Sequence, residues 1–302
     1  MSSRAASIAR PDRSGRYLLG ALLALPFIYV GVFYAYPIYK VVALSLRDYQ
    51  IAYGIDDWVG FDNYATLLSD AETWLTIART LLYTAICVSV SFGLGLGMAL
   101  LTVALADAFA ERYGRIFRHI VIAPMIFVPA AAGVMWAFAY TEHYGWVNHI
   151  LLALGLPAYP WLVSDAAFFL VMVTDIWGWT PFIYLILLAA LQSLPQEPIE
   201  AARVDGANAW QVFRYVTFPL LKPVIVIALT IKTLDTYRAF DYLWIMTKGG
   251  PGTSSTTLNL ATYKTAFQSL TFGNASALAV ITMIFPLAVM ILLLVLRRRQ
   301  TP

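Results

Sequence analysis

Long apolar stretches constrain the fold of this chain more than any other feature of its sequence. Four contain no charged residue: Tyr17–Ile38, Thr80–Ala106, Ile120–Thr141 and Phe272–Leu296. A bilayer core about 30 Å thick requires about 20 apolar helical residues, and each stretch is long enough. Two further stretches, Ala166–Leu194 and Pro223–Thr247, qualify although they contain charged residues. We therefore predict an all-α integral membrane protein with about six transmembrane helices.

The composition supports a chain that faces lipid. It is 60% hydrophobic and 12% charged, whereas a soluble domain carries about 25% charged residues. The net charge of +3 is too small to indicate a nucleic-acid partner. Cys87 is the only cysteine, and the three histidines have no cysteine near them, so we predict no metal site.

Two segments require a decision about whether they span the membrane. Gly145–Val163 is uncharged but interrupted by Gly155, Pro157 and Pro160, so we predict a short external hairpin or interfacial segment. The first apolar stretch follows several arginines, as in a signal peptide. It is longer than the usual 7–15 residues of such a peptide and no cleavage site follows, so we predict a retained helix.

Basic residues are unevenly distributed between the two sides that the six spans define. The richer side holds Arg4, Arg10, Arg13, Arg16, Arg112, Arg115, Arg118, Arg203, Arg214, Lys222, Arg297, Arg298 and Arg299. The other side holds Lys40, Arg47, Arg79, Lys248 and Lys264. The positive-inside rule then predicts that both termini are cytoplasmic. We expect a cytoplasmic tail at 1–16, a transmembrane domain at 17–296 and a second cytoplasmic tail at 297–302.

The segment between the fourth and fifth spans, residues 195–221, is too structured for a simple connector. Pro198 suits the first turn of a helix, Gly206 interrupts that helix, and we expect a second short helix from about Trp210 to Tyr215. The apolar residues available for burial are Val204, Trp210, Val212 and Phe213. By its residues alone, this helix pair fits either a docking element or an amphipathic segment on lipid headgroups.

The same segment resembles the EAA loop of bacterial ABC-importer permeases. That pattern is Glu-Ala-Ala, three residues, Gly, nine residues and Ile-x-Leu-Pro. Here Glu200-Ala201-Ala202, Gly206 and Val216-x-Phe218-Pro219 have the same spacing, with Val and Phe in place of Ile and Leu. The match favours the docking interpretation, because the motif lies in its expected structural context.

Further motifs resemble the first permease subunit of the maltose-type, carbohydrate-uptake importers. They are Pro26, Tyr36-Pro37, Leu44-Ser45-Leu46, Gly60-Phe61-Asp62-Asn63-Tyr64 and Lys248-Gly249-Gly250-Pro251-Gly252. The run Thr233–Asp241 is similar to trehalose-type disaccharide importers. The resemblance covers nearly the whole chain after residue 17.

The resemblance implies a permease of the bacterial inner membrane that forms half of a sugar translocation pathway. The implied partners are a second homologous permease, two ATPase subunits and an external solute-binding protein. The implied ATPase-coupling residues are Glu200, Ala201, Ala202, Asp205, Gly206 and Pro219. The sequence has no G-x-x-x-x-G-K-[ST] phosphate-binding loop. We therefore expect ATP and Mg²⁺ to be used by the separate ATPase, with no cofactor on this chain and no covalent chemistry.

Charged residues within the fifth span are the first candidates for cargo contact. Lys232, Asp235, Arg238 and Asp241 recur at every third position with alternating sign. They fit either a self-neutralised ladder of i, i+3 pairs or a set of cargo ligands, since intramembrane ionisable groups tend to face a cavity. The two cations leave open a cargo with an anionic group.

The fourth span presents a complementary face. Asp175, Trp179 and Phe182 share one side of the helix. A hydrogen-bond acceptor and two aromatic rings there fit a sugar-binding face. They also fit an interior helix face that contains one paired aspartate. Asp175 and Lys232 each lie about 13 Å from a span end, so we expect Asp175 to face Lys232 or Arg238 across a polar cavity, with Trp179 as a wall. The predicted pathway residues are Asp175, Trp179, Phe182, Lys232, Asp235, Thr236 and Arg238. Gly93, Gly95 and Gly97 are predicted to permit close helix packing.

Two other classes of function remain as alternatives. An ion-coupled secondary transporter would use Asp175 and the charges at 232–241 as a relay, but such carriers usually contain internal repeats and we find none. A membrane enzyme or scaffold lacks support from any nucleophile–base pair or metal cluster in the sequence.

Overall fold

The computed structural model describes residues 13–298, with side chains described for residues 22–106 and 109–291. Residues 1–12 of the predicted N-terminal tail and 299–302 of the predicted C-terminal tail lie outside this part. The first half contains α1 (Arg13–Val30), a π-helical turn (Gly31–Ala35), α2 (Tyr36–Ser45), β1 (Arg47–Gln50), β2 (Ile55–Trp58), α3 (Asp62–Ser69), α4 (Ala71–Ala108), α5 (Glu111–Ile122) and α6 (Pro129–Ala139). The second half contains α7 (Trp146–Ala153), α8 (Ala167–Gln192), α9 (Glu197–Val204), α10 (Ala209–Val212), a π-helical turn (Phe213–Thr217), α11 (Phe218–Tyr237), α12 (Asp241–Met246), α13 (Leu258–Phe267) and α14 (Phe272–Arg298).

Within these residues, five helical segments are long and apolar enough to cross a membrane. They are Leu22–Ser45, Ala71–Ala106, Ala167–Gln192, Ala209–Met246 and Phe272–Ile291. A bent pair of helical segments, Glu111–Ile126 with Pro129–Ala139, raises the number to six if it counts as one span. The expectation of about six spans is therefore confirmed when the bent pair is counted as one span.

The prediction that Ile120–Thr141 forms one continuous third span is wrong. Its two parts meet at 94°. Proline disrupts a helix because it lacks an N–H and its ring clashes with the preceding turn. Pro124 opens a short 3₁₀ segment, and Pro129 forces Val128 into an extended conformation with ψ of 139°.

The fifth predicted span, Pro223–Thr247, is also interrupted. Helix α11 ends at Tyr237, residues 238–240 are not helical, and α12 begins at Asp241. The charged residues at 232–241 therefore do not lie on one continuous helix. This break positions the site described below.

The interior is built where α8 packs against α4, α11 and α12. Its fully buried large side chains include Tyr83, Tyr184, Ile183, Leu187 and Leu243. Gly95 permits a close approach of α4 to α8, because a Cβ there would lie 2.8 Å from Ile183 Cγ2 and 3.0 Å from the Tyr184 nitrogen. Within the described part of this chain, the packing prediction is not met at Gly93 and Gly97, which have open space where a Cβ would stand.

A short antiparallel hairpin, β1 with β2, was not predicted from the sequence. Arg47 Nη1 lies 2.8 Å from Asp56 Oδ1 across it, and this hydrogen bond raises the pKa of the Arg47 guanidinium. Asn63 Nδ2 donates to the carbonyls of Ser45 (2.9 Å) and Arg47 (2.8 Å). The Gly60–Tyr64 motif thus fixes the hairpin to the end of α2.

The segment at 145–163 is not among the helices that could cross a membrane, in agreement with the prediction that it is not a seventh span. It contains α7 and a loop held by Asn148, which is 1% exposed. Its amide donates to the carbonyls of Thr141, Glu142 and Tyr159 and accepts from Trp161 Nε1.

Candidate functional site

A buried ion pair joins α8 to α11. Lys232 Nζ lies 2.6 Å from Asp175 Oδ1, and the two side chains are 0% and 2% exposed. A charge buried away from water is costly unless it is paired, so each group requires the other. Of the two expected partners, Asp175 therefore pairs with Lys232, but the expectation that they face each other across a cavity is wrong, because they are in direct buried contact.

The alternative of a self-neutralised ladder is wrong. The ion pairs among the described side chains are Lys232–Asp175, Arg47–Asp56 and Arg79–Glu72. None of them joins two members of the set Lys232, Asp235, Arg238 and Asp241. The break after Tyr237 ends the helical spacing on which such a ladder depends.

Trp179 lies on the same side of α8 as Asp175 and completes the environment of the lysine. Lys232 Nζ is 5.0 Å from the centroid of the Trp179 ring, a distance at which a cation is attracted to the ring face. Phe182 meets Trp179 edge-on at 5.6 Å between centroids. The indole is therefore held between the buried ammonium and a second ring.

A cavity of about 370 Å³ lies beside the ion pair. Its lining is Pro129, Asp175, Trp179, Asp235, Arg238, Ala239, Phe240, Asp241, Tyr242 and Asn259. Four predicted pathway residues, Asp175, Trp179, Asp235 and Arg238, are in this lining. The other three are not: Lys232 and Thr236 are buried, and Phe182 packs against the core formed by α4, α8 and α11.

The lining residues that the prediction missed come mainly from the two helix breaks. Pro129 begins α6 after the bend, and residues 239–242 surround the junction of α11 and α12. The sequence marks Asp241 as a charged residue of the fifth span, but a continuous helix there gives no reason to place it in a cavity. Asn259 Nδ2 donates to the Arg238 carbonyl at 2.9 Å, a contact that needs the tertiary fold.

The break at 238–240 is informative because non-helical backbone at membrane depth is tolerated where it is buried in protein or lines a cavity. Here it lines the cavity. Phe240 stacks on Trp244 at 13° between ring planes, and Tyr263 meets both rings at 5.0 Å between centroids. The site therefore combines carboxylates, a guanidinium and rings in one concave surface.

The loop at 195–221 forms a helix pair with a bend at Gly206, whose φ is +83°. Helix α9 precedes the bend, and α10 follows it with a capping box between Asn208 and Gln211. The second predicted helix, Trp210–Tyr215, is wrong in its bounds: α10 ends at Val212 and a π-helical turn leads directly into α11.

Much of this loop surface is exposed. Glu200, Ala201, Asp205, Gly206 and Pro219 are exposed, and Ala202 is half-buried. The most accessible large apolar residues of the loop are Val204, Trp210 and Tyr215, at 87%, 68% and 74% exposure. Val212 is buried within the chain, so the expectation that it could dock on another surface is wrong.

Fold and site together define a multi-pass helical membrane protein with a cavity at a broken span. Residues 92–301 match the family described as "Binding-protein-dependent transport system inner membrane component". The chain belongs to this family, and it is therefore an inner-membrane permease of the ABC-importer class.

Individual relatives cover most of the chain. The trehalose/maltose transport system permease protein MalF of Thermococcus litoralis is 34% identical over 274 residues, 89% of this chain and 90% of that protein. The sulfoquinovosyl glycerol transport system permease protein SmoG of Agrobacterium fabrum is 35% identical over 272 residues, 89% of this chain and 87% of that protein. The trehalose transport system permease protein SugA of Mycobacterium tuberculosis is 33% identical over 249 residues, 82% of this chain and 78% of that protein.

A solved structure shares the fold. A chain of a bacterial ABC transporter that imports the acidic polysaccharide alginate superposes with a TM-score of 0.79, at 23% identity, covering 95% of this chain and 96% of that chain. The resemblance to binding-protein-dependent permeases is thus confirmed. The ion-coupled secondary transporter finds no support in these relatives.

Proposed function

We propose that this chain forms half of the translocation pathway of an ATP-driven importer for a sugar that an external binding protein delivers. The observation that carries the proposal is the cavity at the broken fifth span. Sugar hydroxyls need hydrogen-bond partners, which Asp235 and Arg238 offer, and the C–H faces of a sugar ring stack on aromatic rings such as Trp179. The relatives named for trehalose, maltose and sulfoquinovosyl glycerol support carbohydrate as the cargo class.

A division of roles within the site follows from burial. The Asp175–Lys232 pair fixes α8 to α11, because the two buried groups neutralise each other, even though Asp175 also forms part of the cavity lining. Trp179, Asp235 and Arg238 contact the sugar, since they line the open part of the cavity. Phe182 and Thr236 support this surface from behind.

A second homologous permease completes the pathway. Arg238 and Asp241 are exposed in the isolated chain, so the cavity is one wall of a larger space. Two ATPase subunits hydrolyse ATP with Mg²⁺, and this chain binds no cofactor and performs no covalent chemistry. The lack of a phosphate-binding loop in the sequence supports this division.

The loop at 195–221 docks on an ATPase subunit at the cytoplasmic face. Both termini lie on the same side, as the distribution of basic residues favours. The exposed side chains of Val204, Trp210 and Tyr215 supply apolar area for this contact, flanked by Glu200 and Asp205. The movement that closes the ATPase pair would be transmitted to α11 through the π-helical turn that joins α10 to α11.

Reconstitution of the whole transporter in proteoliposomes tests this proposal. With the second permease, the ATPase and the loaded binding protein present, we expect ATP-dependent, vanadate-sensitive uptake of trehalose or maltose. Trp179→Ala should lower uptake about tenfold or more, since stacking and hydrogen-bond contacts are each worth about 1 kcal/mol or more. The matched control is Trp58→Ala in the exposed hairpin, which should transport like the wild type. Uptake driven by an ion gradient without ATPase would contradict the proposal.

A further inference from the structure

We propose that the cavity selects an uncharged, hydroxyl-rich sugar and rejects sugars that carry an anionic group. This inference rests on the proposed function and narrows its cargo class. It follows from which charges in the site are available to cargo and which are already neutralised within the chain.

The ammonium of Lys232 is not available to an anionic cargo. It is paired with Asp175 at 2.6 Å, it is fully buried, and the Trp179 ring lies 5.0 Å away. An anion that captured Lys232 would leave the Asp175 carboxylate buried without a partner, which is strongly unfavourable. The most obvious cation of the site therefore contributes no attraction for a negative cargo.

The charges that remain in the lining are predominantly negative. Asp235, Asp241 and Arg238 line the cavity, and none of them forms an ion pair with another described side chain. The Arg238 guanidinium already donates through Nε to the Leu234 carbonyl at 3.2 Å. A carboxylate or sulfonate on the cargo would meet two negative groups and one partly engaged positive group.

A neutral sugar suits the same groups. The carboxylates of Asp235 and Asp241 accept hydrogen bonds from hydroxyls, and hydrogen bonds to a charged acceptor are stronger than those between neutral groups. Arg238 retains donors for a ring or hydroxyl oxygen, and Trp179 and Phe240 offer ring faces. These contacts gain nothing from a negative charge on the cargo.

Equilibrium binding of two matched sugars to the assembled transporter in nanodiscs tests the proposal. The probes are trehalose and trehalose in which one C6 hydroxymethyl group is oxidised to a carboxylate. The binding protein is omitted so that its own selectivity does not contribute. We expect trehalose to bind about tenfold or more tightly than the carboxylate, from repulsion between like charges in a partly desolvated site.

Charge-removing variants assign that preference to this cavity. In the Asp235→Asn/Asp241→Asn double variant, the preference should fall below about threefold, because the amides keep an acceptor oxygen but carry no charge. The single variant Asp241→Asn, at an exposed position in the first turn of α12, should give an intermediate preference if the double variant does not assemble. Asp57→Asn, the same change in the exposed strand β2, is the control and should leave the preference unchanged.

Equal or tighter binding of the carboxylated sugar by the wild type overturns the inference and leaves the proposed function intact. A preference that persists unchanged in both the single and the double variant also overturns it, because the selectivity would then come from elsewhere. Binding of neither sugar overturns both this inference and the assignment of this cavity as a sugar site.

Discussion

At the scale of single residues, the Asp175–Lys232 pair is the feature with the largest energetic consequences. A buried ion pair adds little net stability compared with apolar residues, but removing one partner leaves an uncompensated charge. The pair therefore constrains which substitutions α8 and α11 can accept. Its position beside the cavity links the stability of the helix packing to the shape of the site.

We expect Asp175→Leu to destabilise the protein by about 3–5 kcal/mol, because the Lys232 ammonium would remain buried without a partner. Adding Lys232→Met should restore most of that loss, since two apolar side chains of similar size can replace the pair. Thermal unfolding of the assembled transporter, measured as a double-mutant cycle, gives the coupling. The cycle also needs the single variant Lys232→Met, and a double variant whose loss equals the sum of the two single losses would show that the pair is not coupled.

A basic partner for Asp175 on the fifth span could be predicted from the sequence, because opposite charges at matching depths in an apolar environment have few other partners, but the choice between Lys232 and Arg238 stayed open. The positions of Phe182 and Thr236 outside the cavity lining could not be predicted from the sequence. Helical periodicity assigns residues to a face, but it does not say which neighbouring helix covers that face. Here Phe182 is covered by the core of α4, α8 and α11, and Thr236 is buried.

At the scale of elements, the two helix breaks differ in how far the sequence reveals them. The bend between α5 and α6 contains Pro124 and Pro129, so a local signal existed although the long apolar run obscured it. The break at 238–240 has neither proline nor glycine. It arises from tertiary packing, since Tyr242, Leu243 and Met246 of α12 are buried in the core with residues of α4, α6 and α8. The bend at Gly206, by contrast, is apparent from the glycine itself.

Gly206 tests the docking loop, because its φ of +83° is unfavourable for residues with a Cβ and most unfavourable for β-branched ones. We expect Gly206→Val to lose most transport and cargo-stimulated ATP hydrolysis, through strain of about 1–3 kcal/mol at the bend. Gly206→Asn is the matched control, since Asn tolerates this conformation, and it should keep most activity. Sugar binding by the external protein should be unchanged in both. Wild-type ATP hydrolysis and transport in Gly206→Val would refute a coupling role for the bend.

At the scale of the whole molecule, much of the surface suits lipid or a partner helix rather than water. In the first span, Leu22–Ser45, the side chains of Leu25, Phe27 and Ile28 are more than half exposed. Composition and apolar stretches were sufficient to predict this class of molecule. The isolated chain does not enclose its own cavity. Its fold therefore supports a role as one half of a translocation pathway.

The orientation in the membrane is tested by cysteine labelling in a Cys87→Ser background. Cys87 is fully buried and a serine there is small, so the background should assemble. Asp57→Cys and Thr253→Cys, both at exposed positions, should react with a membrane-impermeant maleimide on intact spheroplasts. Arg112→Cys, at an exposed position that the basic residues predict to be cytoplasmic, is the control and should react only after lysis. Protection of both Asp57→Cys and Thr253→Cys would invert the proposed topology.

The most direct test of the central claim is a structure of the assembled transporter with a sugar trapped between its gates. We predict cargo density in contact with Trp179, Asp235 and Arg238, with the Asp175–Lys232 pair intact behind them. Cargo density that contacts none of the residues lining this cavity, with Trp179 and Asp235 turned towards lipid or a closed interface, would contradict the account.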